Sequence, residues 1–238
     1  MTYRSLDPAR ITATAEQLAE RVAERFPASG LNGVAKELAT LSRDAARDAQ
    51  ELAKPILWLR ALTGLCIAGG MLVFVFVGTF LTFDKISTGA FDFVQGMEAS
   101  INTIVLAIVG FVTLFKTEER IKRQKVLTGL HRLRSVIHVI DMHQLTKDPA
   151  ALSASFKSTK ASPQRITDPE ALSRYLDYCS EMFSISGKLA ALYAQAVNDE
   201  VVVEAVNDIE NLGANLSRKV WQKIMLIDAK VARRTKGG

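Results

Sequence analysis

The chain contains few of the residues that a disulfide-stabilised or metal-binding protein needs. Its 238 residues include two cysteines and three histidines. Cys66 and Cys179 lie far apart in the sequence, so they form no repeated spacing of the kind that marks a disulfide framework or a zinc site. We therefore expect neither a structural disulfide nor a metal centre.

The sequence also lacks the short motifs that accompany catalysis or nucleotide binding. It has no GxxxxGK[ST] phosphate loop, no GxGxxG turn, no HExxH helix and no GxSxG turn. His138 and Asp141 are three residues apart on a predicted helix and could share a metal, which would make the chain a hydrolase or metalloenzyme. A closed metal site needs further ligands, and a solvated helix face explains the pair more simply. We expect no enzymatic activity and no cofactor.

Charge is absent from residues 61–83, and this run organises the rest of the chain. As a helix, the run would reach roughly 34 Å, enough to cross a hydrocarbon core of about 30 Å. A second uncharged run, 99–115, would reach about 25 Å, which is short for a span. We predict that the two runs form a transmembrane hairpin; the alternative is that only the first run crosses and the second lies in the interface.

Residues 84–98 connect the two runs. We predict a short loop at the outer surface, with its aromatic side chains at the depth of the headgroups. A re-entrant pore segment is the alternative for this loop, because non-helical backbone inside a bilayer needs protein or water around it.

Basic residues are concentrated beside the runs and are rare between them. Residues 43–60 carry four, residues 116–134 carry seven, and the loop carries Lys85 alone. The positive-inside rule then places both flanks, and hence both termini, in the cytoplasm, which fits the plasma or inner membrane of a bacterium. With a net charge of +5, we expect the partner to be anionic lipid headgroups, not nucleic acid. The candidate headgroup contacts are Arg60, Lys116, Arg120, Lys122 and Arg123.

Small residues recur at four-residue spacing within both runs, which would let helices approach closely in lipid, within one chain or between copies. The candidate packing positions are Gly64, Ala68, Ala99, Thr103, Ala107 and Gly110.

Outside the runs, helix signals dominate. Asp7-Pro8, Asp148-Pro149 and Asp168-Pro169 each predict a helix start, because aspartate accepts hydrogen bonds from unpaired N–H groups and proline suits the first helical position. Apolar residues alternate at spacings of four and three along predicted helices at roughly 116–145, 170–197 and 200–231, a pattern typical of coiled coils. A short helix is predicted at 149–156, followed by a polar loop near 157–168.

These features predict an all-α protein in three segments. Residues 1–60 form an N-terminal helical hairpin, residues 61–115 the transmembrane hairpin, and residues 116–238 a coiled-coil-like cytoplasmic helical bundle. Long apolar seams without catalytic groups favour an integral membrane interaction or scaffold protein, whose bundle self-associates or binds a helical partner. The alternative is a membrane effector that oligomerises on a cytoplasmic signal and permeabilises the bilayer.

Overall fold

The computed structural model describes residues 5–80, 90–153, 156–163 and 165–236, with some side chains in the two apolar helices left outside the description. Within these ranges the protein is all-helical, as predicted, and contains no strand. A 3-10 turn, Pro149–Leu152, lies between the fourth and fifth helices. The helices are α1 (Pro8–Arg25), α2 (Gly30–Leu52), α3 (Leu57–Phe80), α4 (Ala90–Leu145), α5 (Pro169–Ala196) and α6 (Glu200–Lys236).

All three Asp-Pro pairs begin a helical segment, which confirms the prediction. Asp7 and Asp168 cap α1 and α5, and each accepts a backbone N–H at 2.9 Å. Asp148 caps the 3-10 turn through the N–H of Ala150. The predicted helix at 149–156 was too long, because the backbone becomes extended at Ser153 and the segment stops after a single turn.

The described chain forms two compact units. The first, called the bundle here, comprises Met1–Ala53 with Lys125–Gly238; the second, called the apolar unit, comprises Lys54–Gln124. Both α1 and α2 pack against α5. The predicted N-terminal and C-terminal segments therefore share one core.

The core of the bundle is built from the periodic apolar residues. The predicted seam positions of α4, α5 and α6 are buried against other parts of the same chain, and so are the apolar faces of α1 and α2. The seams were expected to need a second copy or a partner to cover them, yet the chain's own helices already do so. Core side chains that are at most 1% exposed include Leu18, Leu38, Ile137, Ile140, Leu176, Phe183, Leu189 and Val220.

Helix α4 starts earlier than expected. It runs unbroken from Ala90 to Leu145, so the second apolar run and the first helix of the C-terminal segment are one element. The predicted loop was wrong over 90–98; its first part, 84–89, lies outside the described residues. Gly96 does not interrupt the helix, because an interior glycine costs only about 1 kcal/mol and no proline accompanies it.

One stretch in the described part of the chain is long and apolar enough to cross a membrane by length and composition. It falls within Gly30–Leu72, and only 6% of its most apolar window is buried. Low burial separates this stretch from a core helix of the bundle. The run at 99–115 is not identified as a candidate span by the same criteria of length and hydropathy. The two-span hairpin therefore stays a prediction.

Candidate functional site

Most of the large apolar side chains that are described in the apolar unit are exposed, the reverse of the bundle. Leu57, Leu72 and Leu106 are each more than 70% exposed. Large apolar side chains exposed together on neighbouring helix turns are typical of a surface that contacts lipid or protein. Other exposed members are Leu62, Leu65, Ile67, Met71, Ile101, Ile104, Val105, Ile108, Val109 and Phe111.

An open groove of about 550 Å³ lies between α3 and α4 within the apolar unit. Its walls are almost entirely apolar. Cys66, Ile67 and Gly70 line it from α3, and Ala107 and Phe111 line it from α4.

The predicted small-residue positions border open space where they are described. A Cβ atom built on Gly64 or Gly110 would meet no atom within 4 Å. Ala107 and Gly110 line the groove, and Ala68 is exposed. The side chains of Ala99 and Thr103 lie outside the description, so a packing role for the set stays a prediction.

A charged cluster surrounds Glu118 at one end of α3. The Glu118 carboxylate accepts hydrogen bonds from the Ile56 N–H at 3.3 Å and from Arg60 Nε at 3.3 Å, and it pairs with Lys122 Nζ at 3.1 Å. Desolvation acts to raise the pKa of Glu118, but these three donors together hold it below its usual value. Two of the five candidate headgroup contacts, Arg60 and Lys122, therefore already share a carboxylate.

The remaining candidate headgroup contacts differ in exposure. Lys116 and Arg120 are exposed, whereas Arg123 is half-buried. A cavity of about 570 Å³ adjoins the Glu118 cluster and is lined by Leu59, Gly64 and Glu119 in addition to the paired groups. Sequence reasoning missed Glu118 and Glu119 as members of this site, although their position directly after the second apolar run was a usable signal.

The histidine and aspartate pair considered for metal binding is not joined in the structure. Asp141 Oδ1 accepts a hydrogen bond from Gln144 Nε2 at 2.6 Å, and His138 is exposed. Among the described residues no group of three or more His, Cys, Asp or Glu side chains could hold a metal ion. The described residues therefore give the metalloenzyme hypothesis no third metal ligand beside this pair, and the expectation of no enzymatic activity stays a prediction.

The bundle leaves two apolar strips uncovered, and sequence analysis did not identify them. The α4 strip is Met142 and Leu145, and the α6 strip is Trp221 and Met225; all four are more than half exposed. Lys223 holds this part of α6 beside the C-terminal end of α4, because its Nζ donates to the Gln144 carbonyl at 2.9 Å and to Gln144 Oε1 at 2.6 Å. Spacings of three and four place each pair on one helix face.

Comparison with known proteins assigns no family. No protein-family model matches the chain, and no curated protein or solved structure matches it. Function must therefore be inferred from the geometry of these surfaces.

Proposed function

We propose that this chain is an integral membrane scaffold, in which a two-span hairpin anchors the helical bundle at the cytoplasmic surface and the bundle binds a second copy or a helical partner. The observation that carries the proposal is the contrast between the units: most of the described large apolar side chains are exposed in Lys54–Gln124 and buried in the bundle. A unit whose described part consists of two long helices with an apolar exterior suits hydrocarbon, because helices satisfy their own backbone hydrogen bonds.

The charge distribution supports the orientation. Basic residues flank both apolar runs and nearly vanish between them. Lys116 and Arg120 are exposed directly after the second run, which supports a role in binding anionic headgroups. Both termini then lie on the cytoplasmic side.

The two apolar strips support an interaction role for the bundle. Because the seams are covered within the chain, an oligomer needs other surfaces, and the α4 and α6 strips are available. Methionine adapts its shape to different partners, and Met142 and Met225 place one methionine in each strip. Trp221 adds an aromatic anchor of the kind enriched in binding hot spots.

Self-association of the purified full-length chain in detergent tests the scaffold role. Deleting α5 or α6 would be uninformative, because α5 supplies core contacts to α1 and α2. We expect Met225→Asp to shift sedimentation towards the monomer, because it puts a charge on an apolar contact. The matched control is Asn207→Asp, an equal charge change at an exposed position of α6 away from the strip. Assembly that is unchanged by Met225→Asp and by Met142→Asp contradicts the proposal.

Membrane anchoring has its own test. Carbonate extraction should leave the chain in the membrane fraction, and reporter enzymes fused to either end should both report a cytoplasmic location. Release into the wash, or a reporter on the outer side, would exclude the two-span arrangement.

A second candidate is the membrane effector. It is favoured by the continuity of α4, since one helix of 56 residues contains both an apolar run and core positions of the bundle. Clustering of the bundle could then act on the run through an unbroken helix. Liposomes carrying the chain should leak an enclosed dye after antibody-induced clustering; intact liposomes exclude this role.

A further inference from the structure

Two cavities of the apolar unit adjoin each other. The apolar groove and the cavity beside Glu118 share Thr63 and Ile67 as lining residues. One cleft between α3 and α4 therefore has a charged end at Arg60 and an apolar end at Gly70. This distribution of polarity matches an amphiphile with one charged headgroup and an apolar tail.

The length of the cleft matches one leaflet of a bilayer. From Arg60 to Gly70, ten residues of α3 rise about 15 Å. The hydrocarbon core is about 30 Å thick, so the cleft reaches from the headgroup level to about the midplane. The acyl chain of a membrane lipid covers the same distance.

The charges at the polar end identify the headgroup. Arg60 uses only its Nε to reach Glu118, while a guanidinium carries five N–H donors, so its terminal nitrogens can bind a phosphate. Glu119 lines the same cavity and is exposed. The lining carries two cations, Arg60 and Lys122, and two carboxylates, Glu118 and Glu119. Such a balanced set complements a headgroup that has both a phosphate and a positive charge.

We propose that the cleft between α3 and α4 binds one phospholipid of the phosphatidylethanolamine class, with its phosphate on Arg60, its ammonium on Glu119 and an acyl chain in the groove. A carboxylate accepts hydrogen bonds from a primary ammonium, whereas the quaternary ammonium of choline has no N–H to donate. A headgroup with net negative charge would meet Glu119 without compensation. The proposal rests on membrane insertion and adds a specific lipid to the general attraction for anionic headgroups.

Native mass spectrometry of the full-length chain in detergent tests the headgroup. Lipids with ethanolamine, choline and glycerol headgroups are added in turn. We expect one ethanolamine lipid to remain bound, and Glu119→Gln to abolish its advantage over the choline lipid. Arg60→Gln should weaken binding about tenfold, the effect of losing one hydrogen bond to a charged group. The control Lys54→Gln removes an exposed cation that does not line the cleft and is not a candidate headgroup contact, so it should change nothing. Equal or tighter binding of the glycerol lipid overturns the proposal.

A second pair of variants tests the tail. A Cβ on Gly69 or Gly70 meets no atom within 4 Å, so the first carbon of a side chain has open space at both positions. Only Gly70 lines the groove. Gly70→Leu should displace the acyl chain and reduce crosslinking by a lipid that carries a photoreactive group midway along its tail, and Gly69→Leu should not. Equal crosslinking of the two variants overturns the proposal.

A second copy of the chain is the competing occupant of the groove. Cys66 lines it, so efficient oxidative crosslinking of Cys66 between two copies would place protein there and overturn the proposal. The lipid site and the membrane anchor can fail separately. If the chain resists carbonate extraction but shows no lipid selectivity, only the lipid site is refuted. Release by carbonate refutes membrane insertion itself.

Discussion

The ring of Tyr193 on α5 occupies the space beside Gly129 on α4 where a side chain would otherwise stand. A Cβ atom on Gly129 would collide with the phenolic oxygen and ring of Tyr193, which is 3% exposed. The Tyr193 hydroxyl donates to Asp48 Oδ2 at 3.3 Å, and Asp48 Oδ1 also pairs with Lys125 Nζ at 2.9 Å. Three helices, α2, α4 and α5, therefore meet at a point that only glycine permits.

Gly129→Ala is expected to destabilise the bundle by about 1–3 kcal/mol, because overpacking forces a buried ring to move. Urea unfolding of the detergent-solubilised chain, followed by circular dichroism, measures the change. Gly33→Ala is the control, since its Cβ would meet open space on α2, and it should stabilise by up to about 1 kcal/mol. Adding Tyr193→Phe removes the nearest clashing atom, so the double variant should lose less than the sum of the single changes.

Lys223 is expected to contribute stability by binding the C-terminal end of α4. Lys223→Met would leave Oε1 of Gln144, a residue only 2% exposed, without its donor, while the Gln144 carbonyl would keep the Lys147 N–H. An unsatisfied buried acceptor costs about 1–3 kcal/mol. Lys219→Met, at an exposed position on the same helix, should stay within about 0.5 kcal/mol of the native chain. Equal unfolding free energies for the two variants would contradict a stabilising role for Lys223.

Stability is expected to fall as the solution becomes alkaline. Burial raises the pKa of the Cys179 thiol from 9.0 to about 12, so the folded state keeps a proton that the unfolded state loses. The thiol's contribution is complete below pH 9 and is lost as pH rises towards 12, at up to about 1.4 kcal/mol per pH unit. Burial also raises the pKa of Tyr175 and Tyr193, which adds to the loss in the same direction.

Unfolding free energies measured between pH 8 and pH 11 test this pH dependence. Cys179→Ala should give a shallower alkaline decline than the native chain, whereas Cys66→Ala, which removes the thiol of the other unit, should leave the slope unaltered. Parallel curves for the native chain and Cys179→Ala would show that the thiol does not couple to folding.

Asp168 is expected to set the start of α5. Its side chain accepts the Ala171 N–H at 2.9 Å, and replacing such a cap with alanine costs about 1 kcal/mol. Asp168→Asn keeps an acceptor and should retain most of the stability that Asp168→Ala loses. The melting temperature of each variant gives the comparison, and a neutral alanine variant would refute the capping role.

The sequence by itself determined the local features of this protein. The Asp-Pro pairs marked helix starts, the alternation of three and four marked buried faces, and the uncharged run at 61–83 marked the candidate span. Each feature depends on residues within a few turns of one another, where backbone hydrogen bonding and side-chain period act directly.

Only the tertiary structure decided which distant surfaces meet. It showed that the N-terminal helices share a core with α5 and that the apolar seams are buried within one chain. It also showed that Glu118 forms ion pairs with both Arg60 and Lys122. No local pattern predicts that Tyr193 fills the space beside Gly129, because that contact joins residues far apart in sequence. Helix periodicity indicates that a helix face is apolar. Which other helix packs on that face depends on shape and charge complementarity among all the helices.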